Sequence, residues 1–139
     1  MGTLNRRQFV KQAGGMAGAG ATFTFLERCA SNDIRPGNIV NFTIDLTSSS
    51  SAALQNVGGA IVKNGVIIIR KSSTEYVALS TVCTHESCTV NYNSSSNRLV
   101  CPCHGSIFSN SGQVIQGPAT SPLPSYSTSV AGDVLTVKS

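Results

Sequence analysis

Two short motifs in the middle of the chain contain four of its five cysteines and both of its histidines. The first reads Cys-Thr-His-Glu-Ser-Cys over residues 83–88, and the second reads Cys-Pro-Cys-His-Gly-Ser over residues 101–106. Each motif offers one thiolate and one imidazole at a short spacing, with a second cysteine beside them. Thiolates suit iron–sulfur clusters and zinc, and imidazole suits iron and zinc. The pattern therefore predicts one metal centre built from both motifs.

The two motifs resemble the signature of the Rieske iron–sulfur proteins of the cytochrome bc type, which reads C-T-H-x-G-C and C-P-C-H-G-S. The second motif matches in full, and the first departs only at Ser87. The resemblance implies a 2Fe–2S cluster with two ligands on each iron. Cys83 and Cys101 would bind the inner iron, and His85 and His104 would bind the outer iron. It also implies a disulfide between Cys88 and Cys103 that ties the two loops together.

Histidine ligands affect the redox chemistry of such a cluster. Two neutral imidazoles in place of two thiolates remove two negative charges, so the cluster resists an added electron less strongly. Rieske centres have potentials of about −150 to +300 mV, against about −400 mV for plant-type clusters with four cysteines. The resemblance therefore implies an electron-transfer centre of moderately high potential.

Other sites can be built from the same residue types. Zinc can be held by two cysteines and two histidines, but it would leave Cys88 and Cys103 without a role; a zinc-stabilised binding module stays open as an alternative. Haem attachment needs C-x-x-C-H, a spacing that the sequence lacks. A Rieske oxygenase needs a further iron held by two more histidines and a carboxylate, and the chain has only His85 and His104. We therefore expect an electron-transfer protein that is not itself an enzyme.

The last residue of the second motif and several residues after it are expected to tune the potential. In high-potential family members, the serine at the position of Ser106 donates to a bridging sulfide. A tyrosine two residues later donates to a ligand cysteine, and here that residue is Phe108. Gly117 and Pro118 begin a segment that resembles the proline loop of the family, which covers the cluster from a third side. Because hydrogen bonds and burial set the potential, we expect a value below the top of the Rieske range.

Glu86 and Ser87 replace the Leu-Gly pair that is typical of quinol-oxidising cytochrome bc subunits. In those subunits the leucine faces the quinone-binding partner, so a glutamate argues against the same docking. We therefore expect a soluble or lipid-anchored carrier, or the small subunit of an oxidase complex of the arsenite-oxidase kind. Its redox partner would be a cytochrome or the large subunit of that oxidase. The Rieske subunit of a cytochrome bc complex is the alternative.

The N-terminal 29 residues are expected to direct export. Asn5-Arg6-Arg7-Gln8-Phe9 resembles the twin-arginine signal, and a glycine-rich apolar stretch follows it. We assign residues 1–29 to an export signal or short membrane anchor and residues 30–139 to the Rieske domain. Export would place the domain in the periplasm or on the outer side of the membrane, where a disulfide persists.

Cys29 is the fifth cysteine and a possible lipidation site. Leu26 stands three residues before it, as in a lipoprotein cleavage box, but Glu27 and Arg28 occupy positions where small residues are expected. A discarded signal residue and a thiol that pairs between chains are the other interpretations.

The charge of the chain gives no indication of nucleic acid binding. Residues 30–139 carry six basic and five acidic side chains, a net charge of +1, so most of the formal +4 belongs to the N-terminal segment. A nearly neutral domain steers its partners only weakly over long distances.

The pattern of the domain predicts an all-β fold. Alternating apolar and polar residues over 40–46 predict a strand with one buried face, and Asn64-Gly65 between two apolar runs predicts a hairpin. A turn is expected at 93–97, and a second hairpin at Gly132-Asp133. We expect a small antiparallel sandwich or barrel of the Rieske type with the metal loops at one end, and a polar, mobile link over 47–53.

Overall fold

The computed structural model describes residues 39–139, and these form an all-β domain. The export signal, residues 1–29, and Cys29 lie outside the described residues, so both assignments remain predictions. Within residues 39–139, no helix has the length and apolar character needed to cross a membrane.

The larger of two antiparallel sheets has six strands. They are β1 (Asn41–Asp45), β2 (Ala60–Lys63), β3 (Val66–Arg70), β4 (Tyr76–Ser80), β9 (Ser125–Ala131) and β10 (Val134–Lys138). Their order across the sheet is β1-β10-β9-β4-β3-β2. The turn between β2 and β3 has φ values of 52° at Asn64 and 70° at Gly65, the backbone that a two-residue hairpin needs and that these residue types accept. The predicted strand over 40–46 and both predicted hairpins are confirmed.

The smaller sheet has four short strands. It positions the two loops that contain the motifs 83–88 and 101–106, which we call the first and second metal loops. The strands are β5 (Asn91–Asn93), β6 (Arg98–Val100), β7 (Ile107–Ser109) and β8 (Val114–Gln116), in sequential order. The predicted turn at 93–97 joins β5 to β6. The first metal loop lies between β4 and β5, and the second lies between β6 and β7, so each loop is held between two strands.

The core lies on both faces of β3. Val66 to Ile69 are all buried, which explains why this strand reads as a continuous apolar run rather than an alternating one. One face packs in a cluster that also includes Leu79 and Leu99 and the cysteines of the metal loops, Cys83 and Cys101. The other face packs in a second cluster with residues of β1 and β10. The metal loops are therefore anchored directly in the hydrophobic core.

The structure differs from the expected mobile link over 47–53. A 3-10 helix, Ser49–Gln55, occupies this segment. Leu54 is fully buried in the second core cluster, and the Ser51 hydroxyl donates to the carbonyl of the last residue of β1, 2.6 Å away. Arg70 donates to the carbonyls at the end of the helix. The serine-rich composition predicts a mobile link, but local serine hydrogen bonds and the burial of one leucine hold this segment in a 3-10 helix.

Candidate metal centre

The first metal loop closes on itself through the backbone. The amide of Cys83 donates to the carbonyl of Cys88 at 2.8 Å, and the amide of Ser87 donates back to the carbonyl of Cys83 at 2.9 Å. Ser87 has a φ of 57°, in the left-handed region that favours glycine. The loop thus needs a left-handed residue at the position where this sequence departs from the Rieske signature.

The second metal loop has the same backbone pattern. The amide of Cys101 donates to the carbonyl of Ser106 at 2.8 Å, and Gly105 donates to the carbonyl of Cys101 at 3.0 Å. Gly105 has a φ of 75° and is the counterpart of Ser87. The two loops therefore present their cysteine and histidine side chains from equivalent turns.

A disulfide joins the two loops, as the resemblance implied. The sulfurs of Cys88 and Cys103 are 2.06 Å apart and their Cα atoms are 6.5 Å apart. This prediction is confirmed, and it leaves Cys83 and Cys101 as free thiols.

The four expected ligands form a buried pair and an exposed pair. Cys83 and Cys101 are 2% and 1% exposed and belong to the same core cluster. His85 and His104 are exposed, with ring centroids 4.9 Å apart and ring planes at 82°. This arrangement fits a two-iron cluster with a thiolate end in the core and an imidazole end at the surface. Their role as ligands stays a prediction.

A single zinc ion fits this arrangement less well. Zinc in a structural site takes its ligands at about 2.0–2.3 Å in a tetrahedron, so all four donor atoms should lie within about 4 Å of one another. No three of the four expected ligands have donor atoms that all lie within 4.8 Å of one another. Among residues 39–139, the groups of three that do are His85 and His104 with Glu86, and Cys101 with the two disulfide cysteines.

A third loop, residues 117–124, is bound to both metal loops. The Ala119 amide donates to the Ser106 hydroxyl oxygen at 2.9 Å, and the Thr84 hydroxyl donates to the carbonyl of Ser121 at 2.6 Å. Ala119 and Leu123 are buried in the core cluster of the metal loops. Gly117 and Pro118, joined by a cis peptide bond, begin this loop as expected. Sequence reasoning missed the contacts of Thr84 and Ala119. Ala119 donates from its backbone amide, and the identity of a residue does not indicate such a contact.

Ser106 is the residue expected to donate to a bridging sulfide. It is fully buried, and its oxygen accepts from Ala119. Within residues 39–139, its hydroxyl makes no other hydrogen bond with the protein, so its proton is free for an acceptor in the site. A buried hydroxyl needs such an acceptor, and that a bridging sulfide supplies it stays a prediction.

Phe108 lies in the hydrophobic core. It is fully buried on β7 and belongs to the same cluster as Cys83 and Cys101. Its position supports the expectation that a tyrosine hydroxyl here would be close to a ligand sulfur, and that expectation stays a prediction.

Glu86 lies next to a histidine of the second loop. Its Oε2 is 3.6 Å from Nε2 of His104, and both side chains are exposed. The sequence singled out Glu86 as a departure from the family, but only the folded structure brings it to His104.

The fold and the site together define a small β-protein that holds a metal cluster between two disulfide-linked loops. The sequence model of the Rieske [2Fe-2S] domain family matches residues 25–127 of this chain. The chain therefore belongs to this family and binds a 2Fe–2S cluster. Family membership therefore decides between the iron–sulfur cluster and zinc.

The chain is similar to known Rieske proteins over most of its length. It is 29% identical over 137 residues to the cytochrome b6-f complex iron-sulfur subunit of Chlorobaculum thiosulfatiphilum, covering 96% of this chain and 75% of that one. It is 32% identical over 132 residues to the corresponding subunit of Cyanothece sp. strain PCC 7425, covering 94% and 68%. Among solved structures, it matches the plasma membrane Rieske protein PetC3 of Synechocystis PCC 6803 with a TM-score of 0.56 and 35% identity, covering 65% and 95%.

Proposed function

We propose that this chain is the electron-transfer subunit of a cytochrome complex of the b6-f or bc kind that oxidises quinol. It would carry one Rieske cluster bound by four residues: Cys83, His85, Cys101 and His104. The observation that carries the proposal is the buried thiol pair and exposed histidine pair on two disulfide-linked loops. The relatives that match most of the chain are subunits of such complexes, which supports this function over the free carrier expected from Glu86.

The residues of the site suit electron transfer rather than catalysis. When bound, the cluster supplies one-electron redox chemistry. Cys83 and Cys101 would hold one end of it in the core, away from water, while His85 and His104 would present the other end to a partner. Ser106 would donate a hydrogen bond and stabilise the reduced, more negative state. Quinol oxidation would then belong to the complex and not to this chain.

A second candidate is an exported carrier or the small subunit of another oxidase complex, including one of the arsenite-oxidase kind. The specific observation in its favour is Glu86, which places a carboxylate beside His104 where quinol-oxidising subunits have leucine. Its partner would be a cytochrome or the large subunit of that oxidase.

We further propose that the domain works in the periplasm or on the outer side of the membrane. The Cys88–Cys103 disulfide suits an oxidising compartment. The arginine pair near the N-terminus supports twin-arginine export, and one similar protein is a plasma membrane protein.

The cluster assignment is tested by iron and sulfide analysis with electron paramagnetic resonance of the reduced protein. We expect two irons and two sulfides in each chain. Cys83→Ser and His104→Ala should lose the Rieske signal, whereas Cys29→Ser should keep it. Stoichiometric zinc without iron would overturn the assignment.

The complex is tested by purification of the native protein from solubilised membranes. Co-elution with a b-type haem cytochrome and quinol-dependent reduction of the cluster support the first function. A loaded protein that elutes without haem b and is not reduced by quinol would favour the second candidate.

A further inference from the structure

Charged side chains are rare in the loops at the metal end of the domain. Among the three loops that meet there, residues 81–90, 101–106 and 117–124, only Glu86 has a charged side chain. Its side chain is 59% exposed and its Oε2 lies 3.6 Å from Nε2 of His104. The exposed histidine pair and Glu86 form a surface that we call the histidine edge.

The carboxylate of the histidine edge has no lysine or arginine partner in the described part of the chain. No lysine or arginine of residues 39–139 lies within 4.0 Å of Glu86; the ion pair between Lys71 and Glu75 is elsewhere. These residues carry five basic and four acidic side chains, a net charge of +1. Because the field of the whole domain is weak, the local charge dominates what a partner meets at close range.

We propose that Glu86 makes the histidine edge a docking point for a cationic partner surface. A redox partner that covers His104 must also cover this carboxylate, and a lysine or arginine on the partner would pair with it. Docking removes water and strengthens that attraction, whereas an acidic partner surface would be repelled. The inference rests on the proposed function, in which electrons pass through the exposed histidines.

Small oxidants of opposite charge test the proposal without an identified partner. The probes are cationic tris(1,10-phenanthroline)cobalt(III) and anionic ferricyanide, and each takes one electron from the reduced cluster. Stopped-flow rates are measured at low ionic strength for the wild type and for Glu86→Gln. We expect the ratio of the cation rate to the anion rate to fall about tenfold in the variant. The ratio removes any change in driving force that comes from a shifted potential.

Two further variants and a salt series make the result specific. Asp133→Asn removes the same charge from the turn after β9, a strand that leaves the third loop and runs about 23 Å away from it; its ratio should match the wild type. Glu86→Lys should invert the preference. At about 1 M salt, where the Debye length is about 3 Å, the variants should converge.

The outcomes separate this inference from the proposed function. A protein that binds no 2Fe–2S cluster would overturn both. A loaded protein whose ratio is unchanged in Glu86→Gln, or changed equally in Asp133→Asn, would overturn the docking inference alone.

Discussion

At the scale of single residues, the two metal loops can be compared at the position with left-handed backbone, which is Ser87 in the first loop and Gly105 in the second. Both turns need a left-handed residue at the same position, and one loop has glycine where the other has serine. A Cβ added at Gly105 would meet nothing within 4 Å. The two positions therefore differ in backbone conformational energy and not in available space.

We expect Ser87→Gly to stabilise the folded domain by about 1 kcal/mol, because the left-handed conformation strains a residue with a Cβ. The reciprocal variant Gly105→Ser should destabilise it by a similar amount. Chemical denaturation of both proteins measures the free energy of unfolding. A loss of stability in Ser87→Gly would show that the serine side chain makes a compensating interaction.

The second prediction at this scale concerns Phe108. A tyrosine hydroxyl here should donate to a cysteine sulfur and stabilise the reduced cluster. A hydrogen bond is worth about 0.5–1.5 kcal/mol, and about 1.4 kcal/mol corresponds to about 59 mV for one electron. We expect Phe108→Tyr to raise the potential by some tens of millivolts, and Ser106→Ala to lower it by a similar amount.

Voltammetry and denaturation together decide the Phe108 prediction. Because the side chain is fully buried, a hydroxyl that finds no acceptor should cost about 1–3 kcal/mol of stability. An unchanged potential with reduced stability would show that the position does not reach the ligand sulfur.

At the scale of elements, hydrogen bonds connect the third loop to both metal loops. The Thr84 hydroxyl of the first metal loop donates to the carbonyl of Ser121, and the Ala119 amide donates to the Ser106 hydroxyl oxygen of the second. Because Ala119 donates from its backbone, only the Thr84 contact can be removed by deleting its donor. Thr84 is therefore the residue at which one attachment of the third loop can be tested without changing Ser106.

We expect Thr84→Val to loosen residues 117–124 and to destabilise the domain by about 0.5–1.5 kcal/mol. Thr84→Ser keeps the hydroxyl and is the matched control. Hydrogen exchange of the third loop should increase in the valine variant only. If hydrogen exchange of the third loop stays at the wild-type rate in Thr84→Val, core burial of Leu123, and not this hydrogen bond, holds the loop.

At the scale of the whole molecule, the disulfide links the two loops that anchor the cluster to the core. The bond joins residues 15 positions apart. A closed loop of about 15 residues is worth about 3 kcal/mol in the chain-entropy model, through its effect on the unfolded state.

We expect the double variant Cys88→Ala/Cys103→Ala to lose about that much stability and to release its cluster faster in the presence of a chelator. Both thiols are removed together, so that no free cysteine competes for iron. Because neither residue is an expected ligand, the freshly loaded variant should keep the Rieske electron paramagnetic resonance spectrum. Loss of that spectrum would contradict the assigned ligand set.

The sequence predicted the parts of this domain that depend on local patterns. The strand over 40–46 and the Asn64-Gly65 hairpin follow from periodicity and turn chemistry. The Cys88–Cys103 disulfide is what the resemblance to the Rieske signature implied. The prediction of a mobile link over 47–53 is wrong, because the 3-10 helix in this segment continues to Leu54, which packs in the core, and composition does not reveal that contact.

The family, the cofactor and the all-β class could be predicted from the chain alone, because closely spaced cysteines and histidines and hairpin signals are local properties of the chain. Contacts between groups of different loops, by contrast, could be found only in the folded domain. The Glu86 carboxylate beside His104 and the Ala119 amide on Ser106 join residues from different loops. Such contacts depend on how two sheets place three loops at one end, and that placement is set by burial of the core rather than by any short motif.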